Sequence, residues 1–578
     1  MSSNVDLRFL ANHTRPAPKK EKAEAKKAKK SKTSVHLLFL SGDSLSNRPR
    51  AVKPGEKPFD MRGGELIDFL RNRPAKGGGR KDKEQDMNTN RRDFLKGALM
   101  MGAAAAYVGR ARGDAAQGCT GAAACSTQCR AATGSMMTYA DKPFKTLRVG
   151  VVGLGRGRTG VNNFTYIPGC YVSAICDINA VRRNSALNFL KGKHAPVPKV
   201  YGDKGAEDWK RLCEDPEVDL VYNATPWELH VPIALYAMKC GKHVVVEVPS
   251  AFTVDECWEL VKTSEATKRH CMQLENCCYG ESELLAYNLC HLGLLGEITH
   301  GEGAYIHDLR TYNYGKWNDA RPGGNAYWDY WRLRHNAAHG GNQYPTHGLG
   351  PICMDMDINR GDRFDFVVSV ESKQAGFEEL GARYTGSSKD DQWRRSLKVK
   401  MADMNTSIIR TVNGRTIMVQ HNVGTARPYS RINLIQGTHG VLADYPLRIA
   451  IEESLGKGAH GYDPKKTEEI RQKYKHPIWK QSNEVKKVLG SVGGHGGMDT
   501  FMVLRLSYCL QMGLPLDMNV YDLASWCCLC ELTEKSADNR GRSMDIPDFT
   551  CGAWKKQKPF GFEAIDFSKL GQNFNVVG

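Results

Sequence analysis

The stretch Val149 to Gly157, which reads VGVVGLGRG, decides the fold of this chain. An apolar run followed by a glycine-rich turn that opens a helix is typical of a dinucleotide-binding unit. Small residues let the backbone approach a pyrophosphate, and the first N–H groups of the helix bind its oxygens. We therefore predict that Gly153, Gly155 and Gly157 form a cofactor-binding turn. The alternative is a tight turn that binds nothing.

An acidic residue supports a cofactor-binding turn over a turn that binds nothing. Asp177 follows the next predicted strand, about 20 residues after the turn, where a carboxylate binds the adenosine ribose hydroxyls and repels a 2′-phosphate. NAD is therefore predicted over NADP. The basic residues Arg182 and Arg183 keep NADP open as an alternative.

Outward from the turn, apolar runs alternate with amphipathic segments from Leu147 to about Leu292. This alternation predicts a Rossmann domain, with a doubly wound parallel sheet, over residues 145–276. Predicted helices include Glu228–Cys240 and Val254–Thr267. The predicted strands are Leu147–Gly153, Tyr171–Asp177, Val218–Ala224, His243–Glu247 and Cys271–Glu275.

After Gly296 the segments become longer and alternate without crossover helices between most of them. They predict a second domain, residues 277–578, with an open-faced, mainly antiparallel sheet and helices, so the fold class is α/β plus α+β. A Lys/Glu-rich stretch, Glu469 to Lys487, predicts one solvated helix. The predicted strands are Glu297–His307, Arg363–Glu371, Thr406–Thr411, Arg415–Asn422, Arg431–Gly437 and Gly440–Tyr445; the closing helices lie around Asp499–Met512 and Val520–Asp538.

The first 144 residues divide into three parts. Residues 1–86 hold 21 lysines and arginines against 11 acidic residues, a surplus of 10 in a net charge of +18. Without apolar periodicity they predict a disordered basic tail and no nucleic-acid partner, and Met87 is an alternative start. Residues 87–118 carry Arg91 and Arg92 before a short apolar run, which predicts a signal for the twin-arginine translocase. Residues 119–144 are predicted to be a linker.

This signal predicts an exported protein, periplasmic or extracellular, and Cys119 leaves lipoprotein anchoring open. The twin-arginine route carries folded proteins to a compartment without free nicotinamide dinucleotide. A dehydrogenase that exchanges its cofactor would stall there. We therefore expect chemistry that oxidises and re-reduces one substrate in each turnover. The 18 cysteines lack zinc-ligand spacing, so no metal site is predicted.

Two segments lie at the carboxyl ends of predicted strands of the parallel sheet: Thr225 to His230, TPWELH, and Glu247 to Pro249, EVP. They resemble the Gfo/Idh/MocA family of sugar and polyol oxidoreductases. In dehydrogenases of that family the second segment usually reads Glu-Lys-Pro, and its lysine handles the alcohol proton. Val248 replaces that lysine here, which weighs against an ordinary dehydrogenase.

Four further segments are distinctive: Leu274 to Tyr279, Ala304 to Arg310, Tyr330 to Asn336 and Gly341 to Pro351. They resemble glycoside hydrolase family 109, the NAD-dependent retaining α-N-acetylgalactosaminidases and their relatives, and the resemblance extends from Leu147 to the C-terminus. It implies hydrolysis of terminal α-N-acetylgalactosaminides or related glycosides, with tightly bound NAD recycled in place.

The resemblance also implies which residues bind each ligand. NAD is expected to contact the glycine turn and the residues Arg156, Gly157, Asp177, Trp227, His230, Glu247, Val248 and Asn276. The sugar is expected to contact Tyr305, Arg332, Tyr344, Pro345, Thr346, His347 and Tyr429. We predict His347 as the catalytic acid or base, since imidazoles exchange protons near neutral pH, with Tyr344 and Tyr279 nearby.

The implied mechanism is transient oxidation at C3, loss of the C2 proton, departure of the C1 oxygen, water addition and re-reduction. Which tyrosine or histidine is the C2 base stays open. A periplasmic sugar oxidoreductase with tightly bound NAD(P) and a non-catalytic sugar-binding protein are the alternatives. Self-association through the open sheet face is a further expectation.

Overall fold

The computed structural model describes residues 134–571, apart from 316–325, 456–459, 491–492 and 560. The predicted tail, the signal segment and residues 119–133 of the predicted linker lie outside this part of the chain. Among the described residues, no helix is both long and apolar enough to cross a membrane.

The first half forms a Rossmann unit, as predicted. Its strands are β1 Leu147–Val152, β2 Cys170–Cys176, β3 Lys199–Tyr201, β4 Leu220–Asn223, β5 His243–Val246 and β6 Cys271–Gln273. They form one parallel sheet in the order β3-β2-β1-β4-β5-β6. The interspersed helices are α1 Arg158–Tyr166, α2 Ala180–Gly192, α3 Trp209–Glu214, α4 His230–Lys239 and α5 Val254–Thr267. The sequence pattern does not show β3, because three residues are too few for a recognisable alternation.

The central strand β1 pairs with β2 on one side and with β4 on the other. Strand order reverses at this point, and open α/β sheets bind ligands in the crevice beyond the carboxyl ends of such strands. The glycine turn follows β1, Asp177 follows β2, and Thr225 lies just beyond β4. The fold thus brings the glycine turn and Asp177 to the same edge of the parallel sheet.

The second half contains a mixed sheet. Its strands are β7 Ile298–Ile306, β8 Phe364–Glu371, β9 Asn405–Thr411, β10 Thr416–Asn422, β11 Leu434–Gly437, β12 Gly440–Ala443, β13 Arg448–Ile451 and β14 Met544–Asp545. The order is β13-β12-β11-β7-β10-β9-β8-β14. All neighbours are antiparallel except β7 and β10, which run parallel. The mainly antiparallel prediction is confirmed, while the short β13 and β14 were not predicted.

In the segment where one helix was predicted, residues 469–487, this half of the chain has parts of three helices. The expectation of a single solvated helix over 469–487 is wrong, because Pro477 begins a new helix and Ile478 and Trp479 are buried. The helices are α6 Glu281–His291, α7 Arg310–Tyr314, α8 Trp331–Ala338, α9 Thr346–Asp355, α10 Gly376–Ala382, α11 Lys389–Ser396, α12 Pro464–Lys473, α13 Pro477–Lys480, α14 Ser482–Leu489, α15 Met498–Met512, α16 Val520–Cys527 and α17 Leu529–Asp538. Short 3₁₀ turns span Trp227–Leu229, Asn276–Tyr279, Trp328–Tyr330, Glu452–Ser454, His495–Gly497 and Ala553–Lys556.

Helix α9 lies very close to β7. A Cβ atom added to Gly348 would lie 2.1 Å from the backbone nitrogen of Ala304, so only glycine allows this approach. The contact brings His347 of α9 against Tyr305 of β7, with 5.1 Å between ring centroids. On the opposite face of the sheet Val370 is exposed, so this face is open.

Candidate active site

The glycine turn fits a dinucleotide. Gly153 has a φ of +82°, and a Cβ atom there would lie 2.5 Å from the carbonyl oxygen of Ala224. The buried carboxylate of Asp177 accepts a hydrogen bond from the backbone N–H of Leu154, at 2.7 Å. Arg182 lies 3.8 Å from the same carboxylate. A closely packed turn with an acidic residue beside it is the arrangement that NAD requires.

Arg156 extends from this turn towards the second half of the chain. Its Nε lies 3.5 Å from Oε1 of Glu247, and its Nη2 lies 3.1 Å from Oδ2 of Asp499. Burial raises the pKa of Glu247 against the opposing charge of Arg156. The side-chain amide of Asn276 donates to the other oxygen of Asp499, at 2.6 Å. Arg156 and Asn276, both expected at NAD, therefore meet at Asp499, and Glu247 is linked to them through Arg156.

The loops after β4 and β5 are tied together by two other expected NAD residues. The indole N–H of Trp227 donates to the carbonyl oxygen of Val248, at 3.3 Å. The ring nitrogens of His230 lie 2.8 Å and 3.0 Å from the carbonyl oxygens of Pro249 and Thr225. Burial lowers the pKa of His230 to about 4, so the neutral ring has one N–H and donates to one of these two carbonyl oxygens.

Arg332 of α8 is buried among four aromatic rings, which we call the aromatic box: Trp227, Tyr305, Tyr327 and Tyr344. Its guanidinium carbon lies 4.7, 6.0, 5.4 and 5.0 Å from their respective centroids. Nη1 donates to the hydroxyl of Tyr327 at 3.0 Å, whereas Nε and Nη2 have no hydrogen-bond partner among the described residues. Buried charged donors require acceptors. The box is therefore suited to bind an oxygen of a ligand.

His347 forms a close pair with Glu275, which follows β6. The imidazole Nδ1 lies 2.7 Å and 3.0 Å from the two carboxylate oxygens. Burial would raise the pKa of Glu275, but the charge and hydrogen bond of His347 lower it below its usual value. A carboxylate that accepts the Nδ1 proton orients the ring and leaves Nε2 to accept another proton. The pair can therefore act as a general base.

Tyr305 connects this pair with the edge of the site. Its ring stacks on Tyr344 with 4.4 Å between centroids, and its hydroxyl lies 3.0 Å from Nδ1 of His307. Tyr429 contacts the His307 ring at 4.9 Å and is 38% exposed. Tyr429 is thus at the solvent side of the group.

The structure does not bring Tyr279 into this group, which corrects the expectation that it lies beside the catalytic histidine. Its hydroxyl donates to Asp517 at 2.9 Å, and Asp517 is paired with Arg505 at 2.6 Å. Tyr279 packs in the main hydrophobic core rather than in the cluster that holds the aromatic box. Pro345 and Thr346 lie at the start of α9, and Thr346 is buried.

Sequence reasoning missed Glu275, Tyr327 and Asp499. Of these three, only Glu275 could have been found from the sequence, because it ends the predicted strand Cys271–Glu275 at the ligand-binding edge of the sheet. Potential ligand atoms of Glu275, Cys277 and His347 lie within 4.8 Å of one another. However, burial raises the pKa of the Cys277 thiol well above its usual value, and Glu275 binds His347. The absence of a metal site stays a prediction.

Family models match most of the chain. Residues 279–556 match the C-terminal domain of glycosyl hydrolase 109. Residues 147–274 match the oxidoreductase family with an NAD-binding Rossmann fold. Residues 88–106 match a signal sequence of the twin-arginine translocation pathway. The signal lies outside the described residues.

Individual relatives with curated names belong to the same family as the matching C-terminal model. Glycosyl hydrolase family 109 protein 1 of Bacteroides fragilis (strain YCH46) is 44% identical over 430 residues, which cover 72% of this chain and 87% of that protein. A protein of Bacteroides fragilis (strain ATCC 25285) named alpha-N-acetylgalactosaminidase is 43% identical over 427 residues, covering 73% and 96%. Levoglucosan dehydrogenase in complex with NADH and levoglucosan shares the fold, with a TM-score of 0.51 at 19% identity over 70% of this chain and 100% of that one. The chain therefore belongs to glycosyl hydrolase family 109 and is an NAD-dependent glycoside hydrolase.

Proposed function

We propose that the protein hydrolyses terminal α-N-acetylgalactosaminides, or closely related glycosides, through transient oxidation at C3 of the sugar. The observation that carries this proposal is the His347–Glu275 pair, 2.7 Å apart, beside residues expected at NAD. In the proposed division, residues 145–276 hold the cofactor and residues 277–578 hold the sugar. A relative with the name alpha-N-acetylgalactosaminidase supports the choice of sugar.

A base is needed because the reaction removes a proton from C2 of the sugar. Bound NAD would supply a hydride acceptor at C3, which would make the neighbouring C2 proton acidic. His347 takes this proton through Nε2, since its Nδ1 is engaged with Glu275, and the C1 oxygen leaves with a proton from solvent. The imidazolium exchanges its proton with solvent, and a solvent-derived proton returns to C2 after water has added to C1.

The aromatic box positions the sugar. Two nitrogens of the buried Arg332, Nε and Nη2, have no protein acceptor among the described residues, so they can donate to sugar oxygens. Stacked Tyr305 and Tyr344 supply an apolar wall beside them. The Tyr305 hydroxyl, 3.0 Å from His307, is placed to pass a proton between a sugar hydroxyl and that imidazole.

The EVP segment supports a cycle without net oxidation. Val248 is buried where related dehydrogenases have the lysine that takes the alcohol proton. With hydride returned in every turnover, we propose that NAD stays bound and is recycled in place. Because residues 88–106 match a twin-arginine signal, we also propose that the enzyme works in the periplasm or outside the cell.

The test is turnover of an aryl α-N-acetylgalactosaminide by purified protein without added cofactor, in heavy water. We expect release of the aryl group and deuterium at C2 of the product, detected by NMR. Net formation of a ketose or lactone without hydrolysis would support an oxidoreductase instead. Hydrolysis without deuterium would contradict the elimination mechanism, because direct displacement leaves C2 untouched.

A further inference from the structure

A segment far along the chain contacts the cofactor turn. It is the loop Gly493 to Gly497 together with Asp499 in the first turn of α15. Nη2 of Arg156 lies 3.1 Å from Oδ2 of Asp499 and 3.2 Å from Nδ1 of His495. None of the proposed catalytic steps uses this contact.

Asp499 is the centre of the contact. Its side chain is only 2% exposed, although it faces the partly exposed Arg156. Nδ1 of His495 is placed to donate to Oδ2 at 2.9 Å, so it does not accept a hydrogen bond from Arg156. Asn276 donates to Oδ1 at 2.6 Å. Burial opposes ionisation, but the His495 hydrogen bond and the Arg156 charge lower the pKa of Asp499. The carboxylate therefore stays charged opposite the guanidinium.

The backbone of the loop is shaped for this contact. Gly494, His495, Gly496 and Gly497 have φ values of 74°, 44°, 71° and 107°. A Cβ atom on Gly494 would lie 2.5 Å from Oδ2 of Asp499. A left-handed histidine is unfavourable unless contacts stabilise it. The carboxylate contact of His495 supplies such stabilisation.

Apolar packing holds this loop only in part. A cavity of about 320 Å³ lies between it and α1, with Asn162 and Tyr166 on one side and Gly493 and Thr500 on the other. The contact between Asp499 and Arg156 therefore joins this segment to the cofactor turn.

We propose that Asp499, oriented by His495, forms a latch on Arg156 that retains NAD in the protein. The inference rests on the proposed in-place recycling of the cofactor. Arg156 belongs to the turn that is expected to bind the pyrophosphate, and the latch attaches it to the C-terminal half of the chain. Release of the cofactor then requires these charge-assisted contacts to break first. The latch acts on dissociation and takes no part in proton transfer.

The experiment measures exchange of bound NAD for isotopically labelled NAD in the full-length purified protein. Asp499→Asn removes the charge at nearly constant volume, and we expect exchange to accelerate about tenfold or more, as for loss of a buried charge-assisted hydrogen bond. Glu469→Gln is the matched control, because its carboxylate binds Lys466 on the exposed helix α12. Thermal unfolding establishes that each variant is folded.

Three further variants test the attachment itself. His495→Ala should accelerate exchange about threefold, whereas His439→Ala, an exposed histidine, should leave it unchanged. Asp499→Asn should add little in an Arg156→Gln background, because the latch acts through that guanidinium. His495→Ala decides the matter should Asp499→Asn not fold, because His495 is not among the residues expected to bind NAD.

The outcomes separate the latch from the function on which it rests. Wild-type protein purified without any nicotinamide cofactor would overturn in-place recycling itself. Wild-type protein that retains NAD, together with variants that exchange it at the wild-type rate, would overturn the latch alone. Additive effects in the double variant would show that Asp499 acts independently of Arg156, which also contradicts the latch.

Discussion

The cofactor turn and the aromatic box are built in opposite ways. The turn consists of consecutive residues, Gly153 to Gly157, and a Cβ atom on Gly153 would lie 2.5 Å from the carbonyl oxygen of Ala224. The box is assembled from Trp227 after β4, Tyr305 of β7, and residues around α8 and α9. The first depends on the absence of side chains, and the second on side chains that meet across both halves of the chain.

Because the two sites are built differently, substitutions in the turn and in the box should impair different properties of the enzyme. Changes in the turn should affect the binding of NAD and the stability of the Rossmann half. Changes at the His347–Glu275 pair and at the box, apart from Trp227, which is also expected at NAD, should affect the sugar chemistry and leave bound NAD in place. A variant of the turn that impairs only the sugar chemistry, or a variant of the His347–Glu275 pair that loses NAD, would contradict the proposed separation of roles.

The largest effect is expected for His347→Asn. The amide cannot accept the C2 proton, so kcat should fall about 1,000-fold, within the usual contribution of a general base. Bound NAD, measured after its release from denatured protein, should match the wild type. His439→Asn, on an exposed histidine, is the control. Retention of most of the activity would remove His347 from the mechanism.

A matched pair of glycines tests the turn. Gly153→Ala and Gly241→Ala share nearly the same φ, +82° and +80°, and nothing lies within 4 Å of a Cβ atom on Gly241. Each should lose about 1 kcal/mol of unfolding free energy from the left-handed backbone. Gly153→Ala should lose about 2 kcal/mol more from the clash with Ala224. Chemical denaturation measures both.

The same pair should differ in bound cofactor. Gly153→Ala should retain little NAD, because the turn must shift, whereas Gly241→Ala should retain the wild-type amount. Equal losses of stability and of NAD in the two variants would show that the backbone conformation matters and the close approach does not.

Sequence alone predicted the turn well and the box only in part. The turn, Asp177 and the strand β1 follow from local patterns, because glycine spacing and apolar runs report directly on backbone geometry. The pairing of His347 with Glu275 depends on how α9 lies on β7, which no local pattern contains. Tyr279 illustrates the limit, because it occurs in a family-like segment and yet donates to Asp517 in the core.

Glu275→Gln tests whether the carboxylate orients His347. An amide can present its NH₂ group to Nδ1 and favour the wrong tautomer. We expect kcat to fall about 100-fold, as for loss of a group that positions a catalytic residue, while bound NAD is unchanged. In the His347→Asn background the same substitution should have little further effect. Additive losses would assign Glu275 a role that does not pass through His347.

The smallest effect is expected for Tyr327→Phe. This change removes the hydroxyl that accepts the Nη1 hydrogen bond of Arg332 at 3.0 Å and keeps the ring beside the guanidinium. KM should rise about fivefold with kcat nearly unchanged, since one hydrogen bond of about 1 kcal/mol is lost from binding. Tyr312→Phe is the control, because Tyr312 is half exposed and contacts Tyr327 through its backbone carbonyl. A drop in kcat instead would mean that the exact position of Arg332 matters in the transition state, so that the box takes part in the chemistry as well as in holding the sugar.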